Sequence, residues 1–315
     1  MVSASDWDFT SVGIVGSGAV GLYYGGRLAK AGEDVRFLVR SDYCALKENG
    51  LNVKSVHGDF ALAEPSVHRS STEIGPVDLV IVAWKATSNS FLAEVLKPLL
   101  HSRTQVLTLQ NGLGNCETIA QITGAEQVMG ALCFVCINRI SPGNIDHSAG
   151  GKLTVGEWWP SGSSRLATIE SRFRAANIHA QAIDNLAKSQ WEKLIWNIPF
   201  NGFSVAEGGV TTDVLLADAR IVSEMRSVMS EVVGAAKSIG LPLSDDLIEY
   251  NIKRTLPMGP YRTSSMIDFV EGREVEVGPI WEEPVRRAAE AGCPMPHTRR
   301  LLDEIRNRLS ERDFG

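Results

Sequence analysis

Apolar residues recur along this chain with two different spacings. Up to about Asp184 they gather in short runs separated by turn residues, and "SVGIVG", "DVRFLVR", "VDLVIVAW" and "TQVLTLQNG" read as strands. "VDLVIVAW" is a continuous apolar run, as a parallel strand buried on both faces requires. A glycine turn and a helix from about Val20 to Ala31 follow the first strand, and "SNSFLAEVLKPLL" reads as a second helix. "NGLNVKS" and "GDFALAEPSVH" read as a short hairpin. "VMGALCFVCINRISPGNIDHSAGGKLTVGE" reads as strands joined by a turn at Pro142 and Gly143. This strand–helix alternation predicts an α/β fold with a Rossmann-type, doubly wound N-terminal domain.

Beyond about Asp184 the strand signal almost vanishes. "NLAKSQWEKLIWN", "DARIVSEMRSVMSEVVGAAKSIG", "SDDLIEYNIKRTL", "GPIWEEPVRRAAEAG" and "HTRRLLDEIRNRLSER" all carry helical spacing. Gly240 with Pro242, and Gly292 with Pro294, read as helix stops. The expected division is a nucleotide-binding domain over 1–184 and an all-α substrate and catalytic domain over 185–315, with the active site in the cleft between them.

Composition narrows the function. A chain of 315 residues, 44% apolar and 22% charged, reads as globular and soluble. Its net charge of -6 argues against nucleic acid or an anionic membrane as partner. The start, "MVSASDWDFT", is polar and leads into a strand, so no secretory leader is expected, and no apolar run reaches membrane-spanning length. The five scattered cysteines fit a reducing cytoplasm. The Cys133–Cys136 pair reads as two thiols in an apolar strand, because no second pair or histidine completes a metal site.

"GIVGSGAVG" spaces Gly16, Gly18 and Gly21 as GxGxxG between a predicted strand and a predicted helix. A tight turn, a backbone that approaches a pyrophosphate and a helix N-terminus facing the anion all call for glycine here. The loop Gly16, Ser17, Gly18, Ala19, Val20 and Gly21 is therefore the expected dinucleotide cradle. The second strand ends in Arg40 rather than in an acid. An arginine there pairs with a 2′-phosphate and selects NADP(H), with Ser41 a further hydroxyl for the same phosphate.

The stretch "WEKLIWNIPFNGFS" places Lys193, Asn197 and Asn201 four residues apart, on one face of a helix that is otherwise mostly apolar. Reduction of a 2-oxo acid builds charge on the ketone oxygen, and a protonated lysine both stabilises that charge and supplies the proton. Asparagine donates and accepts at once, which suits a hydroxyl or a carboxylate. On spacing alone, a lysine that snorkels to solvent beside two capping amides is an equal reading.

The sequence resembles the ketopantoate reductase family over nearly its whole length. The resemblance rests on "GSGAVG", "VAWKATSN", "QNGLGN", "SPGNIDH", "WEKLIWNIPFN" and "SSMIDFVEGREVEV", in order and at matching spacing. It implies that Lys85 and Asn111 line the cofactor and substrate cleft, and that Lys193 is the catalytic lysine. It also implies that Asn197 and Asn201 bind the substrate's hydroxyl and carboxylate ends. Glu276 matches a glutamate beside the lysine that serves both catalysis and cofactor, and a serine of "TSSM", Ser264 or Ser265, matches a carboxylate contact. Pro199 falls between the two asparagines, where some relatives carry proline later, so a kink is expected to affect Asn201 more than Asn197. His147 is assigned no role.

The expected activity is NADPH-dependent reduction of 2-dehydropantoate to (R)-pantoate in pantothenate synthesis, in the cytoplasm, with no metal. The alternatives are reduction of another branched 2-oxo acid and a non-catalytic NADP(H)-binding sensor. The oligomeric state stays open, a homodimer being one option.

Overall fold

The computed structural model describes residues 7–159 and 164–314; most of the polar start read above as leaderless lies outside them. The described chain packs as two units. The first runs to Gln110 and resumes over Asn115–Leu186; the second comprises Asn111–Gly114 and everything from Ala187 onward.

In chain order the first unit holds β1 (Ser11–Val15), α1 (Ala19–Lys30), β2 (Asp34–Leu38), α2 (Tyr43–Asn49), β3 (Leu51–Ser55), β4 (Phe60–Leu62), β5 (Ser66–His68) and α3 (Ser71–Ile74). It continues with β6 (Leu79–Val82), α4 (Leu92–Leu96), β7 (Gln105–Thr108), α5 (Asn115–Thr123), β8 (Val128–Ser141), β9 (Asn144–Glu157), α6 (Arg165–Ala175) and β10 (Ala180–Ile183). The strands form one mixed sheet in the order β4-β3-β9-β8-β7-β6-β1-β2-β5, with β10 on β9. β1 pairs in parallel with β2 on one side and β6 on the other. Strand order therefore reverses at β1, and the carboxyl ends of β1 and β6 mark the switch point where such sheets open a crevice. All four residues of β6 are buried, which is why its sequence does not alternate.

Two local expectations fail. β3 and β4 form the antiparallel pair, but Ser66–His68 leaves that hairpin and joins β2 in parallel. "SNSFLAEVLKPLL" is no single helix: Ala86–Phe91 and Lys97–Leu99 are 3-10 segments flanking the five-residue α4. Pro98 lacks the N–H a continuing helix needs, and the polar run before Phe91 competes for backbone partners.

The second unit is helical throughout its described residues: α7 (Leu186–Ala206), α8 (Thr212–Ala217), α9 (Ala219–Ser238), α10 (Asp246–Thr255), α11 (Ser264–Val270), α12 (Glu283–Glu290) and α13 (Pro296–Phe314). A π-helical turn, Gly278–Glu282, leads into α12. α7 runs unbroken through Pro199. Its far side is locked by Trp281, whose Nε1 donates to the Ile198 carbonyl at 3.0 Å. Gly202 admits this contact, since a Cβ there would lie 2.6 Å from Leu301 Cδ2 and 3.1 Å from Trp281 Nε1.

Candidate active site

The sheet unit's candidate site is the glycine loop at the switch point. Gly16 has φ +105°, and a Cβ on it would come within 2.3 Å of the Trp84 backbone nitrogen. Only glycine lets the end of β1 pass that close to the end of β6. A Cβ on Gly21 would meet the Gly16 carbonyl oxygen at 1.9 Å, so α1 sits directly on the loop. Gly18, the N-cap of α1, is exposed, faces open space and offers no side-chain cap. The first turn, Ala19 and Val20 included, holds no acidic residue. Uncapped N–H groups and the positive end of the helix dipole thus face a space a phosphate group fits. Ser17 is turned differently: its hydroxyl donates to the Leu38 carbonyl at 2.9 Å and ties the loop to the end of β2. Two residues further on, Arg40 is exposed, and among the described residues it makes no hydrogen bond or ion pair.

Lys85 follows β6 and caps the 3-10 segment Ala86–Phe91, half-buried, with its carbonyl accepting from Ser88 N at 3.0 Å. Beneath it lies an amide network that the sequence reading missed. Asn89 Oδ1 accepts from Trp84 Nε1 at 3.1 Å and from Gln110 Nε2 at 2.7 Å, and Asn89 Nδ2 donates to Asn115 Oδ1 at 3.0 Å. Gln110 in turn accepts from Thr108 Oγ1 at 3.0 Å. This network clamps the carboxyl ends of β6 and β7. Its signal was the concentration of amides in "VAWKATSN" and "QNGLGN", of which only Asn111 was singled out.

The helical unit holds its own group of candidate residues. Lys193 is half-buried, and its Nζ donates to Asn111 Oδ1 at 2.9 Å. Asn111 is presented by a rigid turn: Leu113 N donates to the Pro279 carbonyl at 2.9 Å. Gly112, at φ +81°, packs where a Cβ would lie 2.3 Å from that same carbonyl oxygen. Glu276, also half-buried, lies three residues before Pro279.

One turn along α7 from Lys193, Asn197 is 8% exposed. Asn201, the next turn on, is 1% exposed, and its amide is engaged on both sides. Its Nδ2 donates to the Asn197 carbonyl at 3.0 Å, while its Oδ1 accepts from Ser265 N at 3.0 Å and from Ser264 Oγ at 3.3 Å. Asn201 therefore fastens the start of α11 to α7. Of the two serines, Ser264 is exposed and meets Asn201 through its hydroxyl; the Ser265 side chain is buried and meets it through the backbone.

His147 sits elsewhere, buried in β9. Ser55 Oγ lies 2.8 Å from its Nδ1, and its ring packs 4.5 Å from Tyr23 and 5.1 Å from His57. Burial pulls its pKa below 6.5, and the neighbouring His57 and Arg27 add to the shift.

The chain matches the model of the PanE/ApbA ketopantoate reductases over residues 12–160, and that of their C-terminal domain over residues 185–308. It belongs to the ketopantoate reductase family. A 2-dehydropantoate 2-reductase of a Nostoc species is 38% identical over 298 residues, 93% of either chain. A crystal structure of a 2-dehydropantoate 2-reductase from Geobacter metallireducens superposes with TM-score 0.92 at 39% identity, covering 94% of this chain and 99% of that one. A second, from Methylococcus capsulatus, gives TM-score 0.87 at 30% identity, covering 96% and 97%. As a ketopantoate reductase family member the chain is an oxidoreductase, and the glycine cradle over α1 fits the dinucleotide such a reductase needs.

Proposed function

We propose that this chain reduces 2-dehydropantoate to (R)-pantoate with NADPH, in the cytoplasm, as a step of pantothenate synthesis. The observation that carries the reading is the Lys193 ammonium held at 2.9 Å by Asn111, one turn from Asn197 on a largely apolar helix. In this reading the segment 1–184 holds the cofactor and 185–315 the substrate, with Asn111 contributing to both.

Gly16, Ser17, Gly18, Ala19, Val20 and Gly21 cradle the pyrophosphate, Arg40 pairs with the 2′-phosphate, and Lys85, Asn111 and Glu276 face the rest of the nucleotide. When bound, the reduced nicotinamide supplies a hydride to the ketone carbon. The ketone oxygen then takes a proton from Lys193 Nζ, so that one hydride and one proton complete the alcohol. Asn111 holds one lysine N–H and so fixes the direction of the others. Glu276, which matches the family's glutamate beside the lysine, is assigned to hold that ammonium in place. Asn197 and Ser264 bind the hydroxyl and carboxylate ends of the substrate, with Asn201 and Ser265 completing that wall.

NADPH oxidation measured against a panel of 2-oxo acids tests the reading. The expected result is the highest kcat/KM with 2-dehydropantoate and (R)-pantoate as product. Preference for another branched 2-oxo acid would replace the substrate and keep the chemistry. NADPH binding without turnover of any member would replace the enzyme with a sensor.

A further inference from the structure

Beside Arg40 the first unit carries a charged device that the reaction does not use. Asp42, two residues along, is 1% exposed. Its Oδ1 accepts from Ser41 Oγ at 2.8 Å and from Arg139 NH1 at 2.5 Å; its Oδ2 is buried without a partner. Arg139 comes from the far end of β8, 97 residues on, and 40% of its side chain is exposed. The Asp42 carbonyl accepts Leu46 N at 2.9 Å, which starts α2 and fixes the turn from behind.

A buried carboxylate needs a compensating charge, and here Arg139 is the cation that ion-pairs with it. Chain length alone keeps Arg40 and Asp42 within about 7 Å. Arg40 thus leaves from the same short turn as a carboxylate whose sign opposes that of a phosphate. Like charges at such a distance oppose one another unless the second is neutralised.

We propose that Arg139 is a positioning residue that sets the cofactor preference: by pairing with Asp42 it cancels the charge that would repel a 2′-phosphate. This rests on the assignment of Arg40 to that phosphate. The lone Oδ2 of Asp42 makes the arrangement sensitive, since losing Arg139 leaves the whole carboxylate uncompensated in the turn that carries Arg40.

The test is kcat/KM for NADPH and for NADH in Arg139→Met, Asp42→Asn, the double variant and Arg40→Ala. Arg139→Met should lower the NADPH value about tenfold at low salt, with a much smaller change for NADH, and the gap should shrink as ionic strength rises. The double variant should recover most of the NADPH value, because the repelling carboxylate is gone. Asp42→Asn alone should hold or raise the NADPH/NADH ratio; this single change keeps the test open if Arg139→Met folds poorly. Equal losses for both cofactors, no rescue in the double variant, or a fallen ratio in Asp42→Asn would each overturn the proposal. Should Arg40→Ala discriminate between the cofactors while Arg139→Met does not, the charge proposal alone falls. Should Arg40→Ala impair both alike, the phosphate assignment falls, and the inference with it.

Discussion

Lys193 and Asn111 lie 82 residues apart in the sequence and 2.9 Å apart in space. The amide oxygen accepts from the ammonium and so gives a flexible side chain a fixed direction. If Lys193 is the proton donor, Lys193→Ala should lower kcat by about 10²–10⁴ while NADPH still binds. Stopped-flow hydride transfer together with NADPH fluorescence titration checks both halves. Lys193→Arg should rescue poorly, since guanidinium is too weak an acid and too different in shape. A Lys193→Ala enzyme at near wild-type rate would remove the lysine from the chemistry.

Arg40 is exposed, and among the described residues it makes no hydrogen bond or ion pair. Arg40→Ala should raise the NADPH KM roughly ten- to hundred-fold, the worth of a charge-assisted bond of ~1.5–3 kcal/mol. The NADH KM should move little. Steady-state kinetics with both cofactors decides it, and equal losses would count against a phosphate contact.

Asn201 makes three hydrogen bonds from a 1% exposed amide. Asn201→Ala strands Ser265 N, in the first turn of α11, and should cost about 1–3 kcal/mol of stability. It should also raise the 2-oxo acid KM through the displaced Ser264, and leave NADPH affinity nearly intact. Calorimetry and substrate kinetics on the same sample separate the two effects. A large loss of cofactor affinity would contradict this placement.

Gly202 has no room for a methyl group against Leu301 and Trp281. Gly202→Ala should therefore destabilise the protein by about 1–3 kcal/mol, although alanine is the better helix former. Trp281→Phe, which removes the bond to the Ile198 carbonyl and part of a fully buried ring, should cost at least as much. Urea midpoints rank the two; a stabilised Gly202→Ala would show that the contact relaxes freely.

His147 is buried with its pKa below the ordinary 6.5. Between the folded and unfolded values the unfolded chain binds more protons, so stability rises with pH through that window. The contribution is fully present above about 6.5 and is lost as pH falls toward the lower folded value. Unfolding midpoints at pH 7.5 and 5.5, with the His147 ring followed by NMR, should give a less stable protein at the lower pH and a ring that titrates below the free imidazole.

Much of this was legible in the chain. The glycine loop carries its own punctuation, because close approach to Trp84 forbids a side chain at Gly16. The apolar run of β6 announces burial on both faces. What escaped is pairing at a distance. Three residues such as Ser66–His68 have too short a pattern to say whether they join β4 or β2. The network of Asn89, Gln110 and Asn115 joins residues 21 and 26 apart, and none of the three amides is marked by a periodicity. Pro199 lies inside α7, which continues past it and is held on its flank by Trp281. That residue is apolar by composition and becomes a hydrogen-bond donor only through the fold.

Residues 111–114 pack with the helical unit, although the chain on both sides of them belongs to the sheet unit. The polypeptide therefore crosses from one unit to the other three times: after Gln110, before Asn115 and after Leu186. A gene cut at codon 186 does not yield two self-sufficient halves. The piece 187–315 would lack both the Lys193 acceptor and the segment that seats on the Pro279 carbonyl. The piece 1–186 would carry that segment with nowhere to put it. Expressed together, the two pieces have a ready-made handle for reassembly, which suits this chain to a split-protein reporter; expressed apart, neither is a fair stand-in for a domain.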